Sequence, residues 1–198
     1  MIWRHAFAPS PAAVGKEPKI EITSSHSGVL SAKSYTQNQK NRLGPLLVSK
    51  VILAETRPIL YANKFKFSDT SALLMFLTIV SVSARQELRW IEIGTYKKKD
   101  AHGTFNMLAS CTGLDKVHIS VGIALNSTPL KAGKGFWGEA NHFLRAMSAA
   151  KGSADKGLAV LSFGRSVKAF SIKDGDEVRA WTVEEKDEFV ALLKAKMM

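Results

Sequence analysis

From Gly28 onward the apolar residues of this chain recur with the two periods that mark strands and helices. Over 59–67, "ILYANKFKF" puts Phe65 and Phe67 on one face and Lys64 and Lys66 on the other, which predicts a half-buried strand. Residues 28–35 and 46–54 are apolar enough for two earlier strands, separated by the polar stretch "TQNQKNRLGP". Ser68 and Asp69 are N-cap residue types, and they open a run to Arg85 that predicts a helix. Leu73, Leu74, Met75, Phe76, Leu77, Ile79 and Val80 nearly circle its axis, so it is expected to be buried on more than one side.

The alternation resumes at 88–96, with Ile91 and Ile93 pointing one way and Trp90, Glu92 and Tyr96 the other. Phe105 and Met107 alternate with Thr104 and Asn106, so residues 89–108, "RWIEIGTYKKKDAHGTFNML", predict two strands joined by a basic turn containing Gly103. In "KVHISVGIA" (116–124), Val117, Ile119, Val121 and Ile123 form the inward face and His118 and Ser120 the outward one. Phe136, Ala140, Phe143, Leu144 and Met147 then predict a helix over 136–150 with Gly152 as its C-cap. Residues 158–163 and 166–172 predict a hairpin around Gly164 and Arg165. Asp174-Gly175 predicts a turn into a strand at 177–181. Thr182 and Glu185 form a capping-box pair at the start of a last helix with Phe189, Leu192, Leu193 and Met197 on its face.

Strands followed by a helix recur, and an aromatic residue stands at each helix entry: Phe67, Phe136 and Trp181. The expected class is α+β, with repeated antiparallel sheet-plus-helix units and the helices on one side. The units run over about 28–85 and 86–152, with a shorter third segment at 153–198. A chain of 198 residues is long enough to bury one sizeable core, so 28–198 is expected to be a single domain. The stretch 1–27 differs. It has no acidic residue before Glu17 and is expected to be a mitochondrial presequence or a disordered arm.

Charge changes the picture more than composition does. Lys and Arg number 28 against 17 Asp and Glu, a net charge of +11. Residues 1–170 hold 23 of the bases and 10 of the acids, whereas 171–198 hold 5 and 7, so the excess lies in the body of the chain. A basic body points to a polyanionic partner bound in a salt-dependent way. The aromatic strand at 89–96 beside Lys97, Lys98 and Lys99 has the composition of a single-strand binding surface, in which bases stack and phosphates meet lysine. Arg89, Trp90, Tyr96 and these three lysines are the candidate contacts, and Lys64, Lys66, Arg165 and Lys168 extend the track if the strands pair as expected.

No other constellation reads as chemistry. "GKGFWG" (133–138) fits G-x-G-x-x-G, but no strand ends directly into it and two bulky aromatics fill its variable positions. It reads as a structural loop that could still hold phosphate through Lys131, Lys134 and a helix start. Cys111 has no adjacent base, and the five histidines lack ligand spacing. No nucleophile elbow, Walker A or paired-carboxylate signature occurs. The expectation is a non-enzyme without metal or cofactor. The longest apolar run, 72–80, is too short to span a membrane.

Residues 89–108, "KVHISVGIA" and "FWGEANHFLRAM" together resemble the repeat of the Pur-alpha family. More distantly they resemble the Whirly proteins and the kinetoplastid mitochondrial guide-RNA-binding proteins. The resemblance covers roughly a third of the chain. It implies curved antiparallel sheets each followed by a helix, oligomerisation, and binding of single-stranded RNA, with DNA as the other candidate ligand. On that footing the chain is expected to be a non-catalytic RNA-binding protein of the mitochondrial matrix, acting in RNA processing, stability or annealing. The alternative is a structural subunit of a large mitochondrial ribonucleoprotein, such as a ribosome or an editing or processing complex, that uses the fold mainly for protein contacts.

Overall fold

A computed structural model describes residues 19–24, 30–34, 60–174 and 177–197. The strand expected at 46–54 lies outside these residues, as do 1–18 and Gly175–Asp176, where the turn is expected.

One six-stranded sheet organises the fold. In chain order its strands are β1 (Lys19–Ser24), β2 (Leu30–Ser34), β3 (Lys64–Asp69), β4 (Trp90–Thr95), β5 (Lys116–Val121) and β6 (Leu161–Phe163). Across the sheet they run β2-β1-β3-β4-β5-β6. Only β2 pairs antiparallel, at the edge; β1, β3, β4, β5 and β6 are parallel to one another. A second sheet is the antiparallel hairpin of β7 (Ser171–Asp174) and β8 (Glu177–Ala180), which forms where Asp174-Gly175 predicts a turn.

Parallel neighbours require crossovers, and from β3 to β6 these are helical. The helices α1 (Thr70–Ile79) and α2 (Val82–Arg85) join β3 to β4, and α3 (Lys98–Leu108) joins β4 to β5. β5 is joined to β6 by α4 (Pro129–Lys151) and α5 (Ala154–Ala159), and α6 (Val183–Met197) closes the chain. From β3 to β6 each crossover steps the same way across the sheet, so right-handed connections put these crossover helices on one face. Burial agrees. Phe65, Phe67, Ile91, Ile93, Val117 and Ile119 face the helices and are buried, whereas Lys64, Lys66, Trp90, Glu92, Lys116 and His118 face away.

The chain therefore combines α and β structure, as expected, but five strands of the sheet are parallel where antiparallel units are expected. The physical reason is the alternation itself. A parallel sheet covered on both faces reads as continuous apolar runs, and strict alternation is the mark of a sheet covered on one face, which is the common antiparallel case. Here the described helices cover one face of a parallel sheet, and the pattern cannot tell the two apart.

The basic turn and second strand expected within 89–108 are instead the loop and helix after β4. Ala101, Thr104, Phe105 and Leu108 are its buried residues, at helical spacing i, i+3, i+4 and i+7. Gly103 is a close-packing residue rather than a turn residue: a Cβ there would lie 3.4 Å from the Leu74 side chain of α1. The hairpin expected around Gly164 is also absent, because β6 joins β5 in parallel and β7 pairs with β8. Part of the stretch read as an N-terminal arm, Lys19–Ser24, is β1, so the sheet begins ahead of residue 28.

Two register-matched repeats underlie the ladder. Phe65, Ile91 and Val117 are partners across β3, β4 and β5, as are Phe67, Ile93 and Ile119, so each strand follows the last by 26 residues. Leu88, Leu114 and Leu158, all buried, each stand three residues before the first inward residue of the next strand, Ile91, Val117 and Leu161. Such units cannot bury their apolar face alone and gain a core by stacking.

Between sheet and helices lies an aromatic core. Phe105 meets Tyr96, Phe136 and Phe143 at centroid distances of 6.4, 5.3 and 5.6 Å, and Phe170 stacks on Trp181 at 4.7 Å. Rings this buried typically contribute about 3–5 kcal/mol each when truncated. This core fixes α3 and α4 against the strand ends, where the candidate site lies.

Candidate functional site

In an open sheet of parallel strands, the loops after the strands gather along one edge, and ligands bind there. Here that edge is formed by the carboxyl ends of β3, β4, β5 and β6, at Asp69, Thr95, Val121 and Phe163.

Asp69 ends β3 and caps α1. Its Oδ1 accepts from the Ala72 N–H at 2.9 Å and its Oδ2 meets the Lys97 ammonium at 2.7 Å. Burial pushes this carboxyl up, but the hydrogen bonds from Lys97 and Ala72 outweigh it and hold the carboxyl below its ordinary range. The Lys97 backbone is tied as well, donating its N–H to Thr70 Oγ1 and accepting from the same hydroxyl, each at 3.0 Å. Lys97 is thus a structural clasp between β3, α1 and α3.

Tyr96 is buried rather than displayed. Its hydroxyl donates to Oε2 of Glu139 on α4. The Lys98 ammonium lies 4.0 Å from the other carboxylate oxygen and is 79% exposed. Burial pushes the Glu139 carboxyl up to about 7. The mostly hydrated Lys98 charge does not offset that.

These three residues line one wall of a cleft of about 320 Å³, at the lower end of the range for small-molecule sites. The opposite wall is the β5–α4 loop, Gly122 to Ser127, with Lys131, Gly135 and Phe136 of α4 completing the lining. Gly122 takes φ +87°, and a Cβ there would lie 2.9 Å from the Tyr96 carbonyl oxygen. Only glycine serves at that position. Asn126, at φ 50°, is in the left-handed region too. The loop is laced in place: Gly122 N–H donates to Lys168 O at 2.8 Å, Ala124 N–H to Ala169 O at 3.0 Å, and Trp181 Nε1–H to Ser127 O at 2.9 Å.

Of the ten candidate contacts, six gather along this edge: Tyr96, Lys97, Lys98, Lys99, Arg165 and Lys168. Lys98 and Lys99 open α3, and Arg165 and Lys168 lie in the segment after β6. Lys99, Arg165, Lys168 and also Lys131 are exposed, and no carboxylate pairs with them among the described residues. The other four are elsewhere. Lys64 and Lys66 sit on the outer face of the sheet in a chain of ion pairs. Lys64 is 3.6 Å from Glu92, and Lys66 is 3.5 Å from Glu92 and 3.6 Å from Glu21. Trp90 begins β4 on the same face, 41% exposed, with the Lys116 ammonium 5.8 Å from its ring centroid. Arg89 closes a turn by donating from Nη1 to Gly113 O at 2.6 Å. The single track expected from sequence is therefore two surfaces.

The "GKGFWG" stretch lies inside α4, not in a loop. The helix begins at Pro129 with Thr128 as N-cap, Gly133 packs against Leu192 of α6, and no phosphate loop forms. The Cys111 thiol is buried and pushed up to about 12 by that burial, which makes it inert. No metal-binding cluster of His, Cys, Asp and Glu occurs among the described residues, and no described helix is long and apolar enough to cross a membrane.

Glu139 is the candidate-site residue absent from the contacts expected from the sequence. The signal was present: it is the sole acid in Pro129–Lys151, three residues after Phe136 and four before Phe143, and so lies beside the buried stripe. A carboxyl near neutrality can exchange its proton, and can hydrogen-bond as donor or as acceptor. The described lining brings no histidine, thiol or second carboxylate to it. No family model, no curated protein and no solved structure matches the chain.

Proposed function

We propose that this chain is a non-catalytic protein that binds single-stranded RNA, with its contact surface along the carboxyl edge of the parallel sheet. One observation carries the reading: Lys98, Lys99, Lys131, Arg165 and Lys168 stand exposed along one edge and, among the described residues, only Glu139 is close enough to pair with any of them, at 4.0 Å from Lys98. Unneutralised cations in a row are what a phosphate backbone requires. The Pur/Whirly-like resemblance favours the same ligand through antiparallel units. The described ladder is parallel, so the reading rests on the edge rather than on that fold. Processing, stabilisation or annealing of transcripts is the proposed role. The mitochondrial matrix is the proposed compartment, on the acid-free stretch before Glu17. Association with further protein subunits belongs to the same proposal.

The structural-subunit reading has its own supporting observation. Stacked 26-residue units present their outward side chains as a regular array, and arrays of this kind serve as protein-binding faces. Salt dependence separates the two. For binding of a short oligouridylate, log affinity should fall with log salt. The slope should flatten by about 2 when Lys98→Glu, Lys99→Glu and Lys168→Glu are combined, since each phosphate contact on a single strand contributes about 0.7. An unchanged slope in the folded triple variant would move the RNA off this edge, and absence of binding by the wild type at low salt would leave the subunit reading.

A further inference from the structure

We infer that the cleft seats one unstacked base of the bound strand against the Glu139 carboxyl, and that this contact selects guanine when the carboxyl is ionised and adenine or cytosine when it carries its proton. The inference rests on the RNA reading above and adds a site of base recognition to it. Three observations bear on it. The cleft is about 320 Å³ and has Lys98 and Lys131 in its lining, so phosphates held by these lysines would bring a base to it. Its lining includes Leu125, an exposed apolar residue, and the half-buried Ile123, which give a base apolar contact. Among the described residues, Glu139 Oε2 accepts from the Tyr96 hydroxyl, whereas Oε1 makes no hydrogen bond and has only Lys98 at 4.0 Å. The carboxyl is thus oriented by one oxygen and available through both, since each has a second lone pair.

The selectivity follows from donor and acceptor pattern. A carboxylate offers two acceptors, which match the adjacent N1–H and N2–H donors of guanine. A neutral carboxyl offers one donor and one acceptor, which match the ring nitrogen and amino group of adenine or cytosine. Burial places the change near pH 7. The ionisable groups on the walls are Tyr96 from the β4–α3 loop, Lys98 on α3 and Lys131 on α4 itself; the β5–α4 loop contributes none. His102 and His142 are exposed and do not line the cleft.

The test uses oligouridylates that each carry one central G, A or C, with affinity measured by fluorescence anisotropy at pH 8.5 and pH 5.5. The wild type is expected to prefer G over A by roughly tenfold at pH 8.5 and to lose or reverse that preference at pH 5.5. Glu139→Gln carries a fixed donor and acceptor, so it should favour A or C at both pH values. That variant removes no packing, so a folded protein is available for the comparison. Equal affinity for all three oligomers, with salt-dependent binding retained, overturns base selection and leaves the RNA reading in place. Loss of all RNA binding by the wild type overturns both.

Discussion

Lysine does different work on two surfaces of this sheet. On the outer face, the strand register brings Lys66 opposite both Glu92 and Glu21, and Lys64, opposite Trp90, reaches Glu92 diagonally at 3.6 Å. At the carboxyl edge, Lys98, Lys99, Lys131, Arg165 and Lys168 come from loops and helix starts, where no register imposes a partner. Lys97 shows the boundary between the two cases: it is on the edge in sequence, yet its 2.7 Å bond to Asp69 makes it part of the scaffold. Cation content alone therefore does not mark a polyanion site. A lysine held by a carboxylate must break that pair before it can serve a phosphate, and a solvated one need not.

The strongest way to break this contrast is to neutralise the outer face. Lys64→Gln with Lys66→Gln is expected to change oligouridylate affinity by less than about twofold, whereas the edge triple should lower it by roughly 30-fold or more at low salt. Equal losses from both variants, read by anisotropy at matched ionic strength, would erase the distinction between the surfaces.

A second prediction concerns the carboxyl inside the edge. Glu139 has a pKa of about 7 in the folded chain against an ordinary 4.5. Between those values the unfolded chain gives up the proton first, so Glu139 lowers stability as pH rises through this window and keeps it lower above. Glu139→Gln should accordingly raise stability at pH 8.5 by roughly 1–2 kcal/mol, allowing for partial exposure, and change it little at pH 4.5. Urea midpoints of both proteins at the two pH values give the answer. A variant that is no more stable at pH 8.5 would mean that the carboxyl is ionised at no cost.

The smallest effect is expected at Trp90. Its ring is partly covered by Lys116 and stands on the outer face, so Trp90→Ala should leave RNA affinity almost unchanged. Base stacking on an aromatic platform contributes about 1–3 kcal/mol per base, so a loss of that size would bring the outer face into the binding surface.

Much of the fold could be read along the chain because it depends on near neighbours. The inward faces of β3, β4 and β5 follow from period-2 alternation, Asp69 caps α1 as its residue type suggests, and the Thr182–Glu185 capping box closes with bonds of 2.8 and 3.3 Å. β7 and β8 pair antiparallel on either side of the Asp174-Gly175 signal for the same local reason. Helix α3 was legible too, in the spacing of Ala101, Thr104, Phe105 and Leu108. It was obscured because Gly103 carries the usual signature of a turn, although here it serves close helix packing. That one reading converts a strand-helix-strand unit into a hairpin, and with it the parallel sheet into an antiparallel one.

By itself the sequence determined which residues face inward, where helices are capped, and that the body of the chain carries a large positive charge. Only the tertiary structure decided which of those charges are available. Lys97 meets Asp69 across 28 positions, Glu139 meets Tyr96 across 43, and Lys64 meets Glu92 across 28. Ion pairing falls steeply with distance in space and is indifferent to distance along the chain, so pairing and availability become readable once the strands have found their register.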